Sequence, residues 1–279
     1  MADFLMRDQS PLSAEQFAAI DQVVTEVARR TLVGRRFISI SGPYGPGIQA
    51  LIGEVYTGTE RGIVSLLGED KRAVVEAQER KLIPLPILYK DFRLHWRDIE
   101  SSALFGTPLD LGKPAAAAAL TAQAEDDLIF NGRADLGFEG LLNASGRNTI
   151  PMSDWGAAGK GFDDVVAAVD KLTTAGFVGP FALVTSPRLY ANLHRIFGNT
   201  GVLEVDQVRK LMTDGVYQTP VVPEPTAVVV ATGVENLDIT IAQDLITAFL
   251  QAENMDYYFR VFEILALRIK RPGAICTIA

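Results

Sequence analysis

His95 and His194 are the only two histidines, the side chains best suited to proton transfer or metal ligation near neutral pH. Neither stands at a ligating spacing such as H-E-x-x-H. His95, beside Trp96, reads as a structural or interface residue, and His194, following Leu193 on a predicted helix, as a surface residue. The single cysteine, Cys276, lies in an apolar stretch and reads as a buried, inert thiol. No serine is framed by G-x-S-x-G. Gly156-Ala157-Ala158-Gly159-Lys160-Gly161 looks like a phosphate loop, but Asp154 stands where the first glycine of G-x-x-x-x-G-K belongs. Gly161 likewise replaces the Ser or Thr that would follow the lysine. Glu125-Asp126-Asp127 put three carboxylates in a row; adjacent helical positions face different ways, so a solvated or ion-paired face is expected instead of a metal site. No nucleophile has a base beside it, and no catalytic activity is expected.

The bulk composition points the same way. At 279 residues, 48% hydrophobic and 22% charged, the chain can bury a substantial core and is not of disordered type. A net charge of −8 argues against nucleic acid or an anionic membrane as partner. One cysteine excludes an internal disulfide framework and a cysteine-based zinc site. No apolar run is long enough to span a bilayer, and MADFLMRDQS has neither the charged leader nor the apolar core of a secretory signal, so a cytoplasmic protein is expected.

The elements that must carry any function can be placed in order. Ser13 and Gln16 form a capping-box pattern, and Phe17, Ile20, Val24, Val27 and Thr31 recur at helical spacing up to a stop at Gly34. Phe37-Ile38-Ser39-Ile40 alternates like a strand with one apolar face. From Ala50 to about Tyr89 the glycines and the two strand-like runs 54–57 and 73–76 predict a long two-stranded arm. An isolated hairpin of this kind is marginally stable, so the arm needs a partner, either the body or a neighbouring subunit. A short helix to Leu104 is followed by a helix opened at Pro114, rich in small alanines that allow close approach, and stopped at Asn131-Gly132. SGRNTIPMSDWGAAGKG reads as a polar loop. Helices over 162–175, from Ser186-Pro187 through Ile196, and around Val205 to Leu211 alternate with a strand at Phe181–Thr185; the last third is β-rich. Helices and strands mix without a βαβ rhythm, which predicts an α+β fold.

Several segments together resemble the encapsulin shell proteins, the linocin M18-like family. Leu32 to Gly45 (LVGRRFISISGPYG) is similar to that family's G-R-x-[apolar]-x-x-x-G-P signature. Ala124 to Gly132 (AEDDLIFNG) with Gly137 to Leu142 (GFEGLL), then Gly179 to Tyr190 and Ala242 to Leu245, follow in the family's order. The resemblance spans nearly the whole chain and implies an HK97 capsid-like α+β fold with a peripheral domain, an axial domain and an extended E-loop. On that basis residues 1–49 are expected to form the N-terminal helix and first part of the peripheral domain, 50–90 the E-loop and 91–136 the spine-helix part of the peripheral domain. The axial domain is expected over 137–232, and C-terminal peripheral strands over 233–279.

The function the resemblance implies is self-assembly into a closed icosahedral shell around a cargo enzyme, a ferritin-like iron-oxidising protein or a dye-decolorising peroxidase held by a short C-terminal targeting peptide. The docking site it implies maps to Val24, Ala28, Leu32, Arg35, Ser39 and Ile246, and the pore loop to Phe197, Gly198, Asn199, Thr200 and Gly201. Some members hold a flavin beside an aromatic residue near the E-loop base, where Trp96 is the counterpart; its neighbours here do not align, and no cofactor is expected. A phage major capsid protein on the same fold is the alternative.

Overall fold

The helix opened by the alanine run is the axis of the molecule in a computed structural model that describes residues 4–57, 62–67, 74–198 and 200–279. It is α3 (Gly112–Asn131), preceded by α1 (Ala14–Thr31) and α2 (Trp96–Phe105). Pro114 sits in the first turn of α3, where no intrahelical donor is missed. Ala117, Ala118 and Ala122 are buried and let α1 approach closely, with Ala28 and Leu32 against Ala122. The far end of α3 is capped by its own continuation. Leu141 and Leu142 N–H groups donate to the Ile129 and Phe130 carbonyls at 2.9 Å, satisfying acceptors that helix ends leave open. That return demands glycine: a Cβ on Gly132 (φ +67°) would lie 2.5 Å from the Phe138 carbonyl oxygen.

The strands are β1 (Ser39–Ser41), β2 (Ala50–Thr57), β3 (Glu76–Pro84), β4 (Ile87–His95), β5 (Asn148–Ile150), β6 (Phe181–Thr185), β7 (Val216–Gln218), β8 (Ala227–Ala231), β9 (Leu237–Glu253), β10 (Asp256–Ile269) and β11 (Ile275–Ile278). One sheet has the order β1-β9-β10-β4 and packs on α1, α2 and α3 through Phe17, Ile20, Leu94, Phe249 and Phe259. A second has the order β5-β11-β8-β6-β7 and is covered by α4 (Lys160–Thr174), α5 (Pro187–Leu193) and α6 (Glu204–Leu211). β2 and β3 pair only with each other, antiparallel.

The structure corrects the predicted elements at several points. Phe37 and Ile38 are both buried ahead of β1, because the chain plunges into the core there instead of alternating. The return strand of the arm is Glu76–Pro84, and Ile87–His95, placed partly in the 50–90 arm by sequence, is an edge strand of the main sheet. Ala73 lies outside the described residues. The polar loop after Asn143 contains β5 and a buried Trp155, whose indole N–H donates to Asp164 at 2.7 Å. Ile196 lies beyond α5, bridged to Leu203. β11 belongs to the second sheet, so the last strand of the 233–279 segment joins the 137–232 elements and not the peripheral strands. Glu125 and Asp126 are buried and not solvated; Glu125 is ion-paired, with Arg35 at 2.7 Å.

Candidate functional site

The α1 end builds a groove. Ser13 and Gln16 complete the predicted capping box, the Ser13 Oγ accepting from Gln16 N–H at 3.2 Å and Gln16 Oε1 from Ser13 N–H at 2.9 Å. The helix then runs to Thr31, and the chain turns sharply through a 3-10 turn at Gly34–Arg36. Asp126 fixes this turn by accepting from the Val33 and Gly34 N–H groups at 3.0 and 2.9 Å. Burial pushes the Asp126 carboxyl up to about 7, against those two backbone donors.

Arg35 emerges from the turn and bridges three elements. Its Nε is 2.7 Å from Glu125 on α3, and its terminal nitrogens are 2.6 Å from Glu263 on β10 and 2.7 Å from Asp244 on β9. Glu125 and Glu263 are completely buried, whereas Asp244 is exposed. Burial opposes the charge on Arg35, but Glu125 and Glu263 outweigh it and hold the guanidinium above its ordinary range.

A β-bulge sets this geometry. Phe262 pairs with Ile246 and Ile264 with Gln243, so Asp244 and Leu245 on β9 oppose the single residue Glu263 on β10. The bulge turns Asp244 and Leu245 toward α1. The resulting groove, about 320 Å³, is lined by Ala28, Leu32, Ile40 and Leu245, with Arg29, Arg35, Arg36 and Asp244 at its margins. Arg36 also closes the end of α1, donating to the Leu32 and Arg30 carbonyls at 2.9 and 2.8 Å.

Of the predicted docking residues, the structure brings together Ala28, Leu32 and Arg35. It does not bring in Val24, which is 1% exposed in the core between α1 and the sheet. Ser39 and Ile246 are also displaced. Alternation along a strand turns successive residues to opposite faces, so Ile40 takes the place expected of Ser39. Ile246 packs beside Ala242, Ala248 and Phe262, and Leu245 takes its place in the groove. Nothing in the sequence marks the bulge that shifts this register. An apolar floor with charged margins suits an extended peptide whose side chains enter the floor.

The predicted pore loop, between α5 and α6, closes on itself. Phe197 N–H donates to the Val202 carbonyl at 2.7 Å, and Thr200 Oγ to the Phe197 carbonyl at 2.6 Å. Phe197 packs edge-on against Phe162 with centroids 5.5 Å apart; Gly198, Thr200 and Gly201 are exposed, and Asn199 lies outside the described residues. Glu204, just after the loop, accepts from the Gly159 and Phe162 N–H groups at 3.2 and 2.7 Å. The phosphate-loop lookalike thus opens a helix whose donors are taken by the chain's own carboxylate.

The chemically able residues are spent on structure. His95 Nδ1 caps α2 by accepting from Arg97 N–H at 3.2 Å, and His194 Nδ1 lies 2.9 Å from the Tyr190 carbonyl. Burial pushes the Cys276 thiol up to about 11, away from the reactive thiolate. Among the described residues no group of His, Cys, Asp and Glu is arranged to hold a metal ion, and no helix is long and apolar enough to cross a membrane. The Trp96 ring has the Arg97 guanidinium 5.5 Å from its centroid and the His95 ring at 6.0 Å.

Two sheets, a buried spine helix and an arm paired only with itself define an HK97-type capsid fold. The same architecture is seen in the virus-like particle from Pyrococcus furiosus, with a TM-score of 0.78, 20% sequence identity and coverage of 95% of this chain and 100% of that one. Residues 2–266 match the Linocin_M18 family model, described as encapsulating protein for peroxidase. The chain is 49% identical, over 100% of its own length and 97% of the other, to the type 1 encapsulin shell protein EncA of Myxococcus xanthus (strain DK1622). It is also 42% identical to a diheme-cytochrome-encapsulin shell fusion protein of Kuenenia stuttgartiensis, over 96% of this chain and 73% of that protein. The chain belongs to the encapsulin (Linocin_M18) family.

Proposed function

We propose that this chain is the subunit of a cytoplasmic encapsulin nanocompartment, a closed icosahedral shell that self-assembles around a cargo enzyme. The observation that carries the reading is the arm. β3 is exposed along nearly its whole length, and among the described residues β2 and β3 pair with no third strand. A likeness to a shell protein over the full chain supplies the missing partner, a neighbouring subunit. A phage capsid protein would share the fold, but the extensive sequence identity is to shell proteins.

The subunit acts by geometry and has no reaction of its own. The groove formed by Ala28, Leu32, Ile40 and Leu245 takes the apolar side chains of a short C-terminal cargo peptide, with Arg35 and Asp244 available to its polar groups. The Phe197–Gly201 loop borders a pore whose small, neutral residues filter by size and pass ions to the cargo. A ferritin-like protein or a dye-decolorising peroxidase is the cargo class this reading favours. Particles isolated from the native host and opened for mass spectrometry should release one such enzyme at fixed stoichiometry. Particles that contain only nucleic acid would favour the phage reading.

A further inference from the structure

The charges around Arg35 do not balance. Two carboxylates, Glu125 from α3 and Glu263 from β10, are sealed from solvent with one guanidinium between them. Asp244 from β9 is the other group on Arg35, and it lies outside in solvent. The sealed part therefore carries a surplus negative charge if both glutamates ionise. An uncompensated charge in a low-dielectric interior is costly, and a proton is the simplest remedy.

The hydrogen bonds locate that proton. Both Glu125 oxygens accept from Arg35, at 2.7 Å from Nε and 2.8 Å from a terminal nitrogen, as an ionised carboxylate does. Glu263 accepts at one oxygen, Oε2, from Arg35 at 2.6 Å. Its other oxygen, Oε1, is buried and has no donor. A protonated carboxyl solves this, because its O–H becomes the donor and the neighbouring Glu125 the acceptor. Burial first, and the Glu125 charge second, push the Glu263 carboxyl well above the usual carboxylate range.

We propose that Glu125 and Glu263 hold one proton between them, and that this shared proton fastens the turn after α1 to the spine helix and the two long strands beneath the groove. No other bond forms or breaks; on titration the proton passes from the Glu263 oxygen to base in solvent, leaving two repelling carboxylates. The sign follows from the direction of the shift. With the Glu263 carboxyl raised, its stabilisation is complete below the ordinary glutamate range and is lost as pH rises through the folded-state value. Asp126, on the next position of α3 and facing the Val33–Gly34 backbone with Arg36 nearby, titrates in its own window up to about 7.

The test uses the full-length purified protein in its assembled form. Thermal midpoints are recorded from below the ordinary glutamate range to alkaline pH for wild type and Glu263→Gln. The glutamine removes the surplus charge and keeps the size and hydrogen-bonding capacity of the protonated acid. The wild-type midpoint is expected to fall with rising pH by several degrees more than that of Glu263→Gln, and the two should coincide at the acid end of the range. Infrared spectra of the wild type near neutral pH should show a protonated-carboxyl band that Asp126→Asn retains and Glu263→Gln loses. Parallel pH profiles for wild type and Glu263→Gln would overturn the proposal. So would a wild-type spectrum whose protonated-carboxyl band vanishes entirely in Asp126→Asn, a result that stands even if a glutamine variant fails to fold.

Discussion

The arm and the main sheet are built from the same kind of strand, yet one is fastened within the chain and the other is not. β10 lies between β9 and β4 with a nearly continuous buried run from Val261 to Leu267, and α1 and α3 close one face of the sheet. β3 carries Glu79, Arg80 and Lys81 on an exposed ribbon. Leu85 N–H donates to the Gln49 carbonyl at 2.8 Å at the base of the arm, and Tyr56 N–H, near the far end of β2, donates to the Lys270 carbonyl at 3.2 Å. Val64 and Leu66 farther along the arm are fully exposed. The contrast teaches that local strand propensity specifies a hairpin, whereas burial decides what holds it. The body is completed by its own core; on the proposed function, the arm is completed by other copies.

The largest expected effect comes from separating the two regions. Replacing residues 53–81 by a short flexible linker should abolish particles in light scattering while the circular dichroism of a folded body persists. Particles that still form would break the distinction, and so would a body that unfolds. Within the body, Phe130 is completely buried and Phe130→Ala should cost about 3–5 kcal/mol in denaturant unfolding of the unassembled chain. Leu82→Ala, in the arm at 74% exposure, should change the same quantity by no more than about 0.5 kcal/mol while weakening assembly.

The groove sharpens the contrast further. Leu245→Asp places a charge on the apolar floor and should reduce retention of a peptide-tagged cargo about tenfold or more, equivalent to roughly 1.4 kcal/mol or above, with shells still visible. Val24→Asp should instead prevent folding, since Val24 belongs to the core; normal yield with reduced loading would return Val24 to the groove. One further effect is local. Ser13→Ala removes one half of the capping box on exposed surface and should cost about 1 kcal/mol.

Much of this body was legible in the sequence where a local rule decides the outcome. The Ser13–Gln16 cap, the Asn131–Gly132 stop of α3 and its alanine face were read from neighbouring residues alone. The errors concentrate where distant segments meet. Leu245 and Ile246 exchange faces because a bulge is defined by its pairing with β10, which periodicity within one strand cannot reveal. Glu125 and Asp126 look like surface charges until Arg35 and the Val33–Gly34 backbone arrive from the other side of α3. β11 reaches the second sheet by a crossover that composition does not encode. Of the six residues expected to dock a peptide, Ala28, Leu32 and Arg35 line one groove, while Val24, Ser39 and Ile246 lie outside it.

The central claim is that the exposed arm makes this chain an assembling subunit. Electron microscopy of the purified full-length protein tests it most directly. Uniform hollow particles with icosahedral symmetry, each arm lying across a neighbouring subunit, are the expected result. A monodisperse monomer or dimer with a folded body would contradict the account.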